Sequence, residues 1–371
     1  MARVVFVFDR VMHYHRALFE RLDHELEYLG HEMILMSGKE KANTTGRVAL
    51  KNSVAHNQIE FSLYEFPIGS FTFRYQHGVA GTIKALRPAV VVTTCHSGTF
   101  SEWLVAGAKK KLGFKLIAWQ CGYEFNPGKI KQWVLSKFVP QFDHHLAYHT
   151  NAMHYALAHG ARPDQITVMH NTINEEAIKC IPKGEAKDLV AGKWPALVNK
   201  RIILYVGAIL EEKRLEIVFD ALNLLARKDV IFLMVGDGPH LQEIIKKFGD
   251  RTDFVSTGQI VDGVGPYFDA ADVFVLPGTG GLAINEAMAH SLAVVSGYAD
   301  GSADDLVIDG KNGYRLKDGS AHEMAMRLGD VLNDPDKAAA MGSAGHQMIH
   351  GELSFERFIQ RVVGVLTSAG K

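Results

Sequence analysis

Short apolar runs alternate with longer amphipathic stretches along this chain, and the alternation runs twice. In the first half, residues 4–8, 32–36, 90–94, 115–119, 145–148 and 167–169 read as strands, with helices at 14–30 and 100–112. The second half restarts with strands at 202–206, 231–235, 253–257, 273–276 and 293–296. Helices fall at 216–227, 238–248, 265–270 and 282–290, and in pieces from 321 onward. A strand that is apolar throughout is buried on both faces, so helices must cover both sides of its sheet. The expected fold is therefore α/β, with two Rossmann-like doubly wound domains facing a central cleft. Ligands are expected beyond the carboxyl ends of the strands. Residues 179–200 carry Pro182, Gly184, Gly192 and Pro195 among scattered charges and are the expected linker. The domains are then expected at 1–185 and 195–348, with a last helix in 349–371.

A chain of 371 residues with 47% hydrophobic and 22% charged content can build two ordinary cores. The formal net charge is -1, so nothing in the total points to nucleic acid. The balance is uneven, with the first 190 residues basic and the remainder acidic. Ordinary variation between domains accounts for this; an anionic acceptor or membrane surface facing the basic half is the sharper alternative. The three cysteines, Cys95, Cys121 and Cys180, suggest neither a disulfide framework nor a metal site by their spacing, and a reducing cytoplasm is the simplest compartment. The apolar run at 3–9 is too short for a signal-peptide core, and no run approaches the length of a membrane-spanning helix. Membrane contact would have to be peripheral, through the N-terminal domain at the inner face.

Four segments carry polar chemistry at strand ends. Leu204-Tyr-Val-Gly207 runs into Lys213 and Arg214 at a helix start, where amides and two cations suit a diphosphate. Val235-Gly-Asp-Gly-Pro239 reads as a tight strand–helix turn. Pro277-Gly278-Thr279-Gly280-Gly281-Leu282 opens a helix with bare amides for a pyrophosphate, and Glu286 one turn later can accept the hydroxyls of a ribose. In the first half, Trp119-Gln120-Cys121-Gly122-Tyr123-Glu124 follows a strand, and Glu124 is placed for an acceptor hydroxyl or for work as a base. Of the 18 histidines, His13, His15 and His96 follow strand ends. No P-loop, nucleophile elbow or dinucleotide fingerprint is present.

Together these segments resemble the GT-B glycosyltransferases, specifically the retaining glycosyltransferase family 4. The resemblance is dense from Leu146 to Met348 and diffuse before. It rests on the Val-Gly…Lys213 loop, the Val-Gly-Asp-Gly-Pro turn and the strand Ala-Asp-Val-Phe-Val-Leu-Pro277. Glu286-Ala-Met-Ala, Asp305-Leu-Val-Ile-Asp-Gly-Lys-Asn-Gly313 and Val168-Met-His-Asn171 complete it. By resemblance, Lys213 holds the donor diphosphate, Glu286 the nucleotide ribose, Gly280, Gly281 and Leu282 the sugar and phosphate, and Ile260 lies near the base. Gly207, Arg214, Gly278 and Thr279 complete the expected donor contacts. Lys213, Arg214, Glu124 and His96 are the expected catalytic set, with His13, His15, Gln120 and Tyr123 on the acceptor side. The last helix is expected to return to the first domain.

The chain departs from the family at several positions. Gly278 stands where the first glutamate of the Glu-x7-Glu motif falls, and Ala208 where an arginine follows Val-Gly. Arg214 and Ser291 replace glycines, Ala293 a proline and Cys121 a histidine, and no Gly-Gly pair follows the first strand. The resemblance implies transfer of a glycosyl group from a nucleoside diphosphate sugar to a glycan or glycolipid acceptor, with front-face attack, no cofactor and no metal, commonly in cell-envelope synthesis. Two other readings fit the same residues: a nucleotide-sugar epimerase or hydrolase, and a non-catalytic nucleotide-sugar-binding subunit.

Overall fold

A computed structural model describes residues 1–39, 53–68, 71–122, 128–260, 262–297 and 301–370. They form two compact units, one from the described residues of 1–171 together with 356–370, the other from 172–355.

The first unit is built on eight strands: β1 (Arg3–Phe8), β2 (Glu32–Gly38), β3 (Asn57–Ile68), β4 (Phe71–His77), β5 (Val90–Thr93), β6 (Lys115–Gln120), β7 (His144–Ala147) and β8 (Ile166–Val168). Their order is β4-β3-β2-β1-β5-β6-β7-β8. Every neighbouring pair is parallel except β3–β4. Val4–Phe8 and Val90–Val92 are buried throughout, as strands covered on both faces must be. The alternation of short apolar runs leaves 57–77 unassigned. Here the chain makes an antiparallel hairpin that pairs Tyr64 with Tyr75 and Phe66 with Phe73. The last helix, Phe355–Ala369, joins this unit from Glu356 onward. Phe358 is buried with its ring 6.0 Å from that of Trp119, and Arg361 donates to the Met169 carbonyl at 3.3 Å.

The second unit carries β9 (Arg201–Val206), β10 (Val230–Val235), β11 (Phe254–Gly258), β12 (Val273–Leu276), β13 (Val294–Ser296) and β14 (Gly313–Arg315). The order is β11-β10-β9-β12-β13-β14, parallel throughout. The stretch expected as a linker is structured: Lys183–Lys193 is a helix with Ala186 and Val190 in the core of this unit, and Leu197 joins the same core. The chain passes from one unit to the other between Asn171 and Thr172. Its helix pattern was masked by Pro182 and Gly184, which sit at the helix start, where a missing amide hydrogen or side chain costs little.

Each sheet has a point where the direction of winding reverses. In the first unit β1 lies between β2 and β5; in the second β9 lies between β10 and β12. Crossovers leave opposite faces there, which opens a crevice at the carboxyl ends of the two central strands.

Candidate functional site

At the reversal point of the second unit, two segments separated by more than sixty residues close on each other. β9 ends at Val206, and Gly207 with φ 151° turns the chain toward the short 3-10 turn Glu211–Lys213. β12 ends at Leu276 and leads through Pro277 into Gly278–Gly281 and the helix Leu282–Ala289. Thr279 donates its amide to the Glu212 carbonyl at 3.1 Å, and the Lys213 ammonium donates to the Thr279 carbonyl. Lys213 is only 9% exposed, so its charge is held in place by the loop rather than by solvent.

Gly278 makes this approach possible. A Cβ there would sit 2.0 Å from the Glu212 carbonyl oxygen and 2.7 Å from the Lys213 Cα. The glycine therefore seats the loop directly on the backbone that bears the lysine. A carboxylate at this position, as in the family pattern, would require the 212–213 segment to stand farther away. Gly280, with φ 141°, lies against Lys213 and Leu276, where an added Cβ would come within 3.2 Å of the ammonium nitrogen. The turn at 235–239 has the same logic. A Cβ on Gly236 would lie 1.8 Å from the Gly207 oxygen, and one on Gly238 2.3 Å from the Ile209 oxygen. That turn is thus the packing partner of the Gly207 loop.

The helix Leu282–Ala289 begins at Gly281 with no side-chain cap, which leaves its first amides for an anionic ligand. Glu286, on its second turn, is half-buried, and its carboxylate has no hydrogen bond or ion pair among the described residues. Burial pushes its carboxyl up to about 7. Ile260, just past β11, is partly buried against the same core. The structure thus brings Gly207, Lys213, Gly278, Thr279 and Gly280 together at one crevice, with Gly281, Leu282 and Glu286 on the helix that the loop opens.

Arg214 departs from its expected place beside the lysine. It adopts φ 52°, a left-handed conformation that suits the glycine of the family pattern better. Its guanidinium donates to the Gly319 carbonyl at 3.3 Å and faces an open cavity of about 630 Å3 lined also by Arg315, Lys317 and Asp318. Among the described residues, neither Lys213 nor the 278–281 loop lines that cavity. Ser291, at the other replaced glycine, is likewise left-handed with φ 56°.

The first-unit residues fare differently. Tyr123 and Glu124 lie outside the described residues, as does the side chain of His13, whose backbone is in the 3-10 turn His13–His15. His15 accepts the Met12 amide at 3.1 Å and packs its ring on Phe8, Tyr14 and Phe19, a structural placement. Gln120 is 3% exposed, donates to the Ala152 carbonyl at 3.3 Å and faces His145 Nδ1 at 3.0 Å, so its amide braces β6 and β7 instead of meeting an acceptor. Burial lowers His145 to about 4, which keeps that ring neutral.

His96 does lie at the carboxyl end of β5, and it comes with partners that sequence reasoning missed. Glu102, 1% exposed, accepts the Thr93 and Thr94 hydroxyls, both at 2.9 Å, and the His96 amide at 3.1 Å. Burial first, and then the charge of Asp9, raise its carboxyl to about 8. Asp9 follows β1, accepts from the Gln76 amide at 2.7 Å and lies 3.6 Å from Arg74; burial raises its carboxyl too. Two carboxyls in one low-dielectric pocket disfavour double ionisation, so the pocket holds a proton near neutral pH. Asp9 directly follows a strand, a position that could have marked it, although the sequence reading did not single it out. Glu102 carries no such mark, because a single acidic position on a helix looks solvated until packing buries it.

Two parallel-sheet units, with a lysine and a glycine loop closing the crevice of the second, make a GT-B fold, the fold of a large class of glycosyltransferases. The chain superposes over 99% of its length on Anabaena HepE in complex with UDP and glucose, covering 100% of that chain with a TM-score of 0.76 at 17% identity. Sucrose-phosphate synthase from Thermosynechococcus elongatus matches over 99% of both chains, with a TM-score of 0.76 at 16% identity. The lipopolysaccharide outer core galactosyltransferase WaaB also matches over 99% of both chains, with a TM-score of 0.68 at 14% identity. Residues 200–334, within the second unit, match the family model described as glycosyl transferases group 1. Among curated proteins no sequence matches the chain.

Proposed function

We propose that this protein is a retaining, metal-independent hexosyltransferase that moves a sugar from a nucleoside diphosphate sugar to an acceptor hydroxyl in cell-envelope glycan or glycolipid synthesis. The observation that carries the reading is Lys213 seated against the 278–281 loop at the reversal point of the second sheet. In glycosyl transfer, charge grows on the departing diphosphate oxygen. A fixed ammonium and uncapped helix amides aimed at that oxygen stabilise the transition state, each such donor contributing about 2.7–4 kcal/mol. Glu286 supports the ribose by accepting its hydroxyls. His96, held by Glu102, is the first-unit group nearest in kind to an acceptor contact. Arg214 has a lesser place in this reading, since its guanidinium is engaged at Gly319.

The second reading, a nucleotide-sugar-binding subunit without turnover, draws on the absence of a carboxylate at Gly278. Incubation with UDP-, GDP- and ADP-sugars, with and without acceptor extracts, separates the cases. Nucleotide release that depends on acceptor supports transfer, release without acceptor supports an epimerase or hydrolase, and binding without release supports the subunit. UDP-sugars are the first to try, because HepE is known in complex with UDP-glucose.

The proposed setting is cytoplasmic, at the inner membrane face. Support comes from the helix Lys129–Phe138, which exposes Ile130 and Trp133 beside Lys129 and Lys137, an arrangement suited to an anionic interface. No described helix is long and apolar enough to cross a membrane. Replacing Ile130 and Trp133 by serine should abolish co-flotation with anionic vesicles; unchanged flotation would remove this part of the proposal.

A further inference from the structure

Three residues far apart in sequence converge in the second unit, away from the diphosphate loop. Cys180 lies after the 3-10 turn Glu175–Ala177, Asp269 in the helix Gly265–Ala270, and His290 at the carboxyl end of the helix Leu282–Ala289. Cys180 Sγ is 3.5 Å from His290 Nδ1, which is 2.7 Å from Asp269 Oδ1, and the three donor atoms all lie within 4.8 Å of one another. We propose that Cys180, Asp269 and His290 form a binding site for a thiophilic divalent cation of the zinc type.

The donor set and its spacing both suit that ion. Zinc takes thiolate, imidazole and carboxylate ligands in tetrahedral geometry at roughly 2.0–2.3 Å, which sets ligand–ligand edges of roughly 3.3–3.6 Å. The sulfur–nitrogen separation already has that length. The nitrogen–oxygen separation is that of a hydrogen bond and would widen when a metal replaces the shared proton. The cysteine thiol gives up its proton on binding, the neutral imidazole carries its one proton on Nε2 so that Nδ1 is free to coordinate, and the carboxylate enters as it is.

The surroundings hold the ligands in place. Asp269 uses its other oxygen to accept the Ile181 amide at 2.9 Å. The His290 ring stacks on Phe268, with centroids 5.1 Å apart and planes 10° from parallel. Such outer contacts fix ligand orientation before the metal arrives. His290 and Asp269 are buried at 1% and 4% side-chain exposure, whereas Cys180 is exposed, so a hydrated cation has a way in and a water can complete the coordination. The Ala289 carbonyl, 3.7 Å from the sulfur, adds the negative end of the helix that carries Glu286. A metal here would tie the chain at 180–181 to that helix. The proposal rests on these contacts alone and is independent of the transferase reading.

The test uses the full chain, stripped by a chelator and titrated with Co2+ and then Zn2+. The expected result is uptake of one Co2+ with a thiolate-to-cobalt charge-transfer band and tetrahedral visible bands, displaced by Zn2+. Cys180→Ser should remove the charge-transfer band and weaken zinc binding roughly tenfold or more, as loss of a ligand contact does. Because Cys180 is exposed, the metal-free variant should keep the wild-type thermal midpoint; His290→Gln serves as the second variant. At the same zinc concentration the midpoint of the wild type should rise more than that of Cys180→Ser. Absence of stoichiometric uptake, or an equal band and affinity in Cys180→Ser, would overturn the proposal.

Discussion

Replacing Gly278 by alanine tests the architecture of the donor loop with a single methyl group. The new Cβ would meet the Glu212 oxygen at 2.0 Å and the Lys213 carbonyl carbon and Cα at 2.7 Å. All three are backbone atoms and cannot swing aside. Reaching ordinary contact at 3.4 Å requires the two segments to separate by about 1.4 Å. Overpacking of this kind costs about 1–3 kcal/mol. The shift also breaks the Thr279–Glu212 and Lys213–Thr279 hydrogen bonds, each contributing about 0.5–1.5 kcal/mol. The sum is about 2–6 kcal/mol, which for a unit of this size lowers the thermal midpoint by roughly 4–24 °C. Calorimetry reads the midpoint, and isothermal titration with UDP-sugar should show affinity falling with it, because Lys213 loses its seat. Gly184→Ala is the control: nothing lies within 4 Å of its Cβ, and a helical glycine-to-alanine change should stabilise by about 0.5–1 kcal/mol. Gly278→Glu, which restores the family residue, should lower turnover instead of raising it. A Gly278→Ala protein that melts and binds donor like the wild type would refute the steric argument.

Three further outcomes follow from the same geometry. Lys213→Ala should lower kcat by about 100-fold or more while lowering the midpoint by only a few degrees through loss of the Thr279 bond, read by donor turnover beside a melting curve. Glu286 binds ribose hydroxyls as the carboxylate, and burial raises it to about 7, so donor affinity should climb between pH 6 and 8; in Glu286→Gln the profile should be flat and the affinity lower. Glu102 is raised to about 8 from 4.5, so the folded state keeps a proton that the unfolded chain releases, and stability falls as pH rises across that interval. Glu102→Gln should remove this slope and gain a few kcal/mol at pH 8 relative to wild type, measured by urea denaturation at pH 5 and 8.

The sequence by itself determined that two parallel sheets would form, because a run apolar on every residue can be buried only between layers of helices. β12, the helix Phe100–Leu112 and the helix Gly265–Ala270 lie where the pattern puts them. It also singled out Lys213 and the 278–282 loop, since glycines after a strand and cations at a helix start have few other uses. The antiparallel pair Asn57–Ile68 and Phe71–His77 escaped it, for an edge pair half open to solvent lacks the continuous apolar run of a covered strand. The helix Lys183–Lys193 escaped because proline and glycine near a helix start look the same as a linker.

Only the tertiary structure decided which polar groups are buried and which meet. Glu102 is solvated or sealed according to what packs over its helix, and Cys180, Asp269 and His290 share one pocket through contacts spanning more than a hundred residues. Gly278 carries both lessons. Its identity is plain in the chain, but its reason is the carbonyl of Glu212 lying where a side chain would begin. Local pattern records the periodicity of burial along each segment, whereas distances between segments are set by the packing of the whole unit.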